Sequence, residues 1–179
     1  MFIAREKRRT NIAEYILYMW QVEDSLRSCS FKRETIEQKL VGRFQADEET
    51  SREISDWYMN LAVMMEKEHV QESGHIQVLK NLANDLNEFH LKMIQTRVDA
   101  PYVYLYQQNL AKIEEFMQQS RENDNEIEAC LNALYRVWVL KMKNAEISEQ
   151  TEQTVAGFSS LIGHLSARYI QFENDDFEF

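Results

Sequence analysis

The sequence has few of the residues that interrupt helices. Its 179 residues include four glycines and one proline. Tight β-hairpins depend on glycine, whereas glycine and proline are the residues least compatible with a helix interior. Strand-like alternation of polar and apolar residues is also lacking over any useful length. The composition therefore predicts an all-α fold rather than a sheet.

Cysteine is scarce as well. Cys29 and Cys130 are the two in the chain, and they form neither a CxxC motif nor a metal-ligand spacing. Isolated cysteines indicate free thiols and a reducing compartment. No segment approaches the roughly 20 uncharged apolar residues of a membrane span, and no secretory signal follows the basic start. We therefore predict a cytoplasmic protein that does not bind membranes.

Positive charge is in deficit, since the net charge is -10. Proteins that bind nucleic acid need a basic face to displace counterions, so this class is not expected. The charge is nevertheless uneven, with a basic N-terminal arm over residues 1–9 and an acidic C-terminal tail over residues 173–179. These segments are expected either to be loose ends or to meet each other, within one chain or between two.

Apolar residues recur at helical spacing along almost the whole chain, and helix-start signals divide them into about seven segments. The clearest start signals are Asp47, Asp99 with Pro101 after it, and Ser148. The polar run SRENDN, residues 120–125, predicts a loop. Because the connections are short, we predict one domain over residues 1–179, a single antiparallel helical bundle of about six to seven helices.

Two polar residues interrupt the predicted apolar stripes. Glu23 lies on the stripe of the first helix, predicted over residues 10–28, and His90 lies on that of the fourth helix. A buried charge needs a partner, so the two could pair with each other. Alternatively, Glu23 reaches water and His90 is a satisfied core histidine. His75, placed in the first turn of the fourth helix, is either an anion ligand or a surface loop residue.

Signals for metal binding and catalysis are weak. Two Glu-x-x-His sequences, Glu66–His69 and Glu72–His75, resemble di-iron ligands, but di-iron bundles place the two pairs on separate helices. No Gly-x-Ser-x-Gly motif is present, and the acidic residues near Cys130 oppose thiolate formation. We therefore assign no catalytic residue, no metal ligand and no cofactor.

The last predicted helix carries a stripe of small residues, Ala156, Ser160, Gly163 and Ala167. A glycine inside a helix costs up to about 1 kcal/mol relative to alanine, so close approach of another helix is expected to offset this cost. That helix could belong to the same chain or to a second copy.

Three tyrosines lie on the predicted fifth helix. Tyr102 and Tyr106 share a face, whereas Tyr104 points elsewhere. Tyrosines at these positions favour core packing, a protein interface or the lining of a small-molecule pocket.

Three segments of the chain resemble a known family: NIAEYILYMWQVEDSLR, SGHIQVLKNLANDLNEFHLKM and EACLNALYRVWVLKMKNAEIS. The most specific parts are YMWQVED, the Gly74–His75 pair and LNALY. They are similar to an uncharacterised all-helical family of unknown function, seen chiefly in Bacteroidetes bacteria. The resemblance spans nearly the whole chain and implies a bacterial single-domain helical protein. It implies no activity, so no functional residue is carried over from it.

The candidate polar residues all lie within these segments; they are Trp20, Glu23, Asp24, His75, Asp85, His90 and Tyr135. We predict a non-enzymatic helical interaction module that forms a homodimer or binds a partner protein. The contact would use the small-residue face of the last helix or the aromatic fifth helix. The alternative is a small-ligand-binding protein or enzyme with a polar pocket around Glu23, His75, Asp85 and His90.

Overall fold

The computed structural model describes residues 1–120 and 123–179, and within those ranges it contains helices and no strands. Eight α-helices and one short 3-10 helix follow one another: α1 (Phe2–Thr10), α2 (Ile12–Ser28), α3 (Arg33–Lys39), the 3-10 helix (Val41–Phe44), α4 (Glu48–Lys67), α5 (Gln77–Thr96), α6 (Ala100–Gln119), α7 (Glu126–Met142) and α8 (Glu149–Glu173). The predicted SRENDN loop includes residues 121 and 122, which lie outside the described residues. The all-α prediction is confirmed.

The predicted N-caps begin three of these helices. The side chains of Asp47, Asp99 and Ser148 each accept a hydrogen bond from the backbone N–H three residues later, at 2.8, 2.9 and 3.2 Å. These bonds satisfy N–H groups that have no partner inside the helix. Pro101 lies in the first turn of α6, where its missing N–H is not needed.

The N-terminal segment differs from its prediction. The residues predicted as a basic arm, 1–9, lie largely within α1, and Asn11 separates this helix from α2. Asn11 has an extended backbone, with φ -157° and ψ 103°, and its side chain accepts a 3.1 Å hydrogen bond from the N–H of Glu14. Glu14 in turn contacts the side-chain amide of Asn11, in an arrangement similar to a capping box. The additional helix raises the number of α-helices in the described ranges to eight, so the prediction of six to seven was too low.

The basic start and the acidic end of the chain meet within one molecule. Arg8 of α1 donates two hydrogen bonds of 2.7 Å to the carboxylate of Glu173, the last residue of α8. Beyond Glu173, the rings of Phe177 and Phe179 contact Phe89 of α5. Both ends are therefore attached to the folded body rather than loose.

One contiguous cluster of buried side chains contains residues from all eight α-helices. Helix α8 is central to this core because it packs against α1, α2, α5, α6 and α7. Its apolar stripe buries Phe158, Ile162 and Leu165. The stripe predicted for the first helix is buried in the same way, including Ile12 and Ile16 of α2.

Helices α6 and α8 approach each other closely at Gly157. A Cβ atom on Gly157 would lie 2.1 Å from the Oδ1 atom of Asn109. Asn109 is buried, and its Nδ2 atom donates a 2.8 Å hydrogen bond to the carbonyl of Leu105, which keeps the side chain in place. A Cβ atom on Gly163, by contrast, would meet no atom of the described residues within 4 Å. Close packing within the chain therefore explains Gly157 and leaves Gly163 unexplained.

The two glycines of α8 provide a matched pair of substitutions. We expect Gly157→Ala to destabilise the fold by about 1–3 kcal/mol, because the added methyl group overpacks the contact with Asn109. Gly163→Ala should instead stabilise it by up to about 1 kcal/mol through helix propensity alone. Urea unfolding of dilute protein, followed by circular dichroism, measures both changes. Equal effects of the two substitutions would contradict this account of the α6–α8 contact.

Candidate functional site

Four side chains of α2 project from one face of the helix. Trp20, Glu23, Asp24 and Arg27 follow the i, i+3, i+4, i+7 spacing that places residues on one side of an α-helix. This face meets the loop between α4 and α5, which carries His75. It also meets Tyr135 of α7. We call these six residues the His75 cluster.

Glu23 is 1% exposed, and both of its carboxylate oxygens are bound. Oε2 lies 2.5 Å from Nδ1 of His75, and Oε1 accepts a 2.9 Å hydrogen bond from the backbone N–H of Ile76. Ile76 is the N-cap residue of α5 and has no side-chain acceptor of its own. The buried carboxylate of α2 therefore holds the beginning of α5. His75 lies just before that helix, not in its first turn as predicted.

Aromatic rings enclose the His75 imidazole. The Trp20 ring stacks on it with centroids 4.3 Å apart and an interplanar angle of 13°. Tyr135 contacts the Trp20 ring edge-on at 5.6 Å, and Trp138 stacks on Tyr135 at 5.8 Å. Trp20 is almost fully buried whereas Trp138 is 40% exposed, so the rings lead from the core to the surface.

Asp24 and Arg27 complete the His75 cluster on its outer side. Asp24 accepts a 2.6 Å hydrogen bond from the Tyr135 hydroxyl and a 2.7 Å bond from Arg27. Arg27 also donates to the carbonyls of Val70 and Gly74, so it fastens the loop between α4 and α5 to α2. Gly74 has φ +83°, a conformation that residues with a side chain rarely adopt. Burial raises the pKa of Tyr135, and the bond to Asp24 raises it further, so the hydroxyl remains a proton donor.

Two polar atoms of this cluster have no hydrogen-bond partner in the described part of the chain. The His75 side chain is 22% exposed, and its Nε2 atom has no partner among residues 1–120 and 123–179. The indole Nε1 of Trp20 is buried and likewise lacks an acceptor in the described chain. Because the Glu23 carboxylate contacts Nδ1, the Nε2 atom is the ring nitrogen left for a further hydrogen bond. The arrangement suits hydrogen bonding to a small polar ligand.

The structure separates residues that the sequence placed together. Glu23 binds His75, whereas His90 binds Tyr102 and Glu126, so the suggested pairing of Glu23 with His90 is wrong. His90 also lies 14 residues after Ile76, roughly 21 Å along α5 at 1.5 Å per residue. Asp85 is an exposed residue on the same helix, next to Phe89 at a separate cavity. The four residues expected around one pocket therefore do not line a common site.

His90 belongs to a second polar group, the His90 cluster, with the buried Tyr102 and the half-buried Tyr106 and Glu126. Nδ1 of His90 lies 2.5 Å from the Tyr102 hydroxyl, and Nε2 lies 3.3 Å from the Glu126 carboxylate. The Tyr106 hydroxyl donates a 3.2 Å bond to the same carboxylate. The bond to His90 lowers the pKa of Glu126 against the opposing effect of burial. The alternative that His90 is a satisfied core histidine matches these contacts.

Asp99 forms a third polar group, with His164 and Arg168 of α8. Its Oδ2 atom accepts hydrogen bonds of 2.9 Å from His164 and 2.6 Å from Arg168, while Oδ1 caps α6 through the N–H of Tyr102. Burial alone would raise the pKa of Asp99, but these hydrogen bonds outweigh it and the pKa is lowered. The cap was predictable from the sequence, but its two partners on α8 were not, since nothing in the local sequence indicates that α8 lies beside this cap.

The small residues of the last helix lie on its outer side. Ala156, Ser160, Gly163 and Ala167 are all exposed, and we call them the α8 small-residue face. Tyr102 and Tyr106 point inward whereas Tyr104 is 62% exposed, in agreement with the predicted division of the tyrosines. Cys130 is fully buried, which raises the pKa of its thiol.

The described ranges contain neither a cluster of metal ligands nor a membrane-spanning helix. No group of three or more His, Cys, Asp or Glu side chains is placed to hold a metal ion in that part of the chain. No helix there is long and apolar enough to cross a bilayer.

Residues 1–176 match the model of a family described as a domain of unknown function, DUF4924. The chain belongs to this family. The match confirms the resemblance to an uncharacterised domain family, and all three polar groups lie within the matched residues of the DUF4924 domain. No curated protein and no solved structure matched the chain.

The role of the buried Glu23 carboxylate of the DUF4924 domain in holding α5 can be tested by comparison with Glu68, an exposed carboxylate at the beginning of the same helix. Glu23→Ala should lower the free energy of unfolding by about 2–3 kcal/mol, because it leaves the Ile76 N–H and His75 without their acceptor. Glu68→Ala is the matched control, since Glu68 accepts a 2.5 Å hydrogen bond from the adjacent Gln77 N–H but is exposed. It should cost only about 0.5 kcal/mol. Similar losses in urea unfolding would show that Glu23 does not hold α5.

The Asp99 group predicts a dependence of stability on pH. Because the pKa of Asp99 is lowered from 3.8, its stabilising contribution is present above about pH 4 and is lost as the pH falls through the folded-state value. Asp99→Asn keeps the cap but removes the charge, so it should cost about 1 kcal/mol or more at neutral pH. The cost should vanish in acid. Asp47→Asn, at an exposed cap, is the control and should change stability less; an equal change would contradict a special role for His164 and Arg168.

Proposed function

We propose that this protein is a non-enzymatic helical interaction module that self-associates through the α8 small-residue face. The observation that carries the proposal is the environment of Gly163. This glycine lies inside a 25-residue helix, and a Cβ atom there would meet nothing within 4 Å in the described chain. Packing within the monomer does not offset its helix-propensity cost of about 1 kcal/mol. A second helix lying across this face would do so.

The charge pattern of α8 supports the same proposal. Its exposed positions from 153 to 167 are Gln153, Ala156, Ser159, Ser160, Gly163 and Ala167, none of which carries a charge. The chain as a whole has 28% charged residues and a net charge of -10, so two copies repel each other over most of their surfaces. Protein interfaces are depleted of charge at their centres. The uncharged side of α8 is therefore a favourable place for two copies to meet.

A partner protein could use α6 instead. Tyr104 is 62% exposed on α6, while its neighbours Tyr102 and Tyr106 are held in the His90 cluster. A rigid helix that presents a tyrosine to solvent suits a contact hot spot, because tyrosine combines apolar area with a polar tip.

Binding of a small ligand at the His75 cluster is the second candidate function. The Nε2 atom of His75 and the indole N–H of Trp20, which have no partner within the described ranges, favour it. Hydrogen bonds that Glu23 accepts and Arg27 donates hold the cluster in position, and a preorganised site of this kind binds at a lower entropic cost. The same bonds also fasten α2 to the α4–α5 loop and to the beginning of α5, which accounts for the cluster without any ligand.

We further propose that the eight helices run antiparallel within a single domain, which the short connections and the one contiguous core support. The cytoplasmic location and the distribution among Bacteroidetes stay predictions from the sequence.

Self-association can be tested with a substitution on the proposed face. Wild-type protein should form dimers across the micromolar range, and Gly163→Leu should shift it to monomers, since a large side chain prevents two helices from approaching closely. Ala111→Leu, which places a leucine at an exposed position of α6, is the control and should leave the dimer intact. Sedimentation equilibrium and native mass spectrometry measure the mass. A wild-type protein that stays monomeric throughout this range would exclude self-association.

A further inference from the structure

A cavity of about 570 Å³ lies where α1 meets α2, α4 and α8. Its size falls within the roughly 300–1,000 Å³ typical of small-molecule sites. Three arginines of α1 line it, namely Arg5, Arg8 and Arg9. They stand out in a chain whose net charge is -10.

The positive charge at this cavity is only partly neutralised by carboxylates. Arg8 forms an ion pair with Glu173, which also lines the cavity. Arg5 and Arg9 are exposed and have no carboxylate partner in the described part of the chain. Lys7, the remaining basic residue of α1, is paired with Glu14 at 2.5 Å and does not line the cavity. Two guanidinium groups therefore remain to bind an anion.

Aromatic side chains provide the other wall. Tyr15 of α2 and Trp57 of α4 line the same cavity, and both are half-buried. Trp57 is also held by an edge-on contact with the buried Tyr58 ring at 5.0 Å. Aromatic side chains can stack on a planar ring, and a guanidinium group binds phosphate through paired hydrogen bonds. The two kinds of side chain together therefore suit a ligand that combines a planar ring with an anionic group.

We infer that this cavity, which we call the α1 cavity, binds a small phosphate monoester that carries a planar ring. Arg5 and Arg9 bind the phosphate, while Tyr15 and Trp57 contact the ring. The ion pair between Arg8 and Glu173 fixes α1 against α8 and so keeps the two arginines at the rim. This binding is independent of the α8 small-residue face, because the α8 residues that line the cavity are Ile170, Glu173 and Asn174.

Adenosine monophosphate is a suitable probe, with ribose 5-phosphate and inorganic phosphate as comparisons. Calorimetric titration at low salt should show saturable binding of adenosine monophosphate, at least about tenfold tighter than of either comparison ligand. Arg5→Ala/Arg9→Ala should weaken it by at least about tenfold. The control is Arg33→Ala/Arg52→Ala, which removes the same charge from surface pairs on α3 and α4 and should have little effect.

Tryptophan fluorescence reports where the probe binds. Adenosine monophosphate should quench the emission, Trp57→Phe should abolish the quenching, and Trp138→Phe, which removes an exposed tryptophan elsewhere, should retain it. Four outcomes would overturn the inference. The first two are an absence of saturable binding of adenosine monophosphate and an equal affinity for inorganic phosphate. The third is a control double variant that weakens binding as much as Arg5→Ala/Arg9→Ala does. The fourth is a peptide with the acidic sequence ENDDFEF, residues 173–179 of this chain, that binds more tightly than adenosine monophosphate.

Discussion

A carboxylate buried in a helical core needs hydrogen-bond partners, and the partners of Glu23 determine how the neighbouring loop and helices are arranged. Its two oxygens bind His75 and the N–H of Ile76, which lie at the junction between the α4–α5 loop and α5. One side chain of α2 thus positions the beginning of another helix. Because leaving a buried charge without partners costs several kcal/mol, the loop and both helices are expected to hold this geometry together or lose it together.

The other polar groups act at different places in the same core. Asp99 caps α6 and binds two side chains of α8, so it joins these two helices. The His90 cluster joins α5, α6 and α7. In each case an ionisable side chain from one helix satisfies groups from at least one other, which restricts how apolar helices can slide past one another. Such contacts favour one packing arrangement over its near alternatives.

Much of the local structure could be predicted because it depends on nearby residues. The caps at Asp47, Asp99 and Ser148 and the buried stripe of α2 follow from spacing and side-chain chemistry alone. The break at Asn11 had a local signal as well, the Asn-x-x-Glu pattern with Glu14, but the basic residues of the helix before it predicted an arm instead. Five of the seven candidate polar residues, all except Asp85 and His90, do meet in one cluster, although no local pattern related Trp20 to Tyr135.

The sequence by itself determined that the chain is helical, that helices begin after Asp47, Asp99 and Ser148, and that Glu23 and His90 need partners. Those properties depend on hydrogen bonds and burial within a few turns of one helix. Only the tertiary structure decided that the partner of Glu23 is His75, that Gly157 rather than Gly163 permits the close helix contact, and that α1 docks beside α8 through Arg8. These outcomes depend on which helices become neighbours, and that is settled by the packing of the whole core at once.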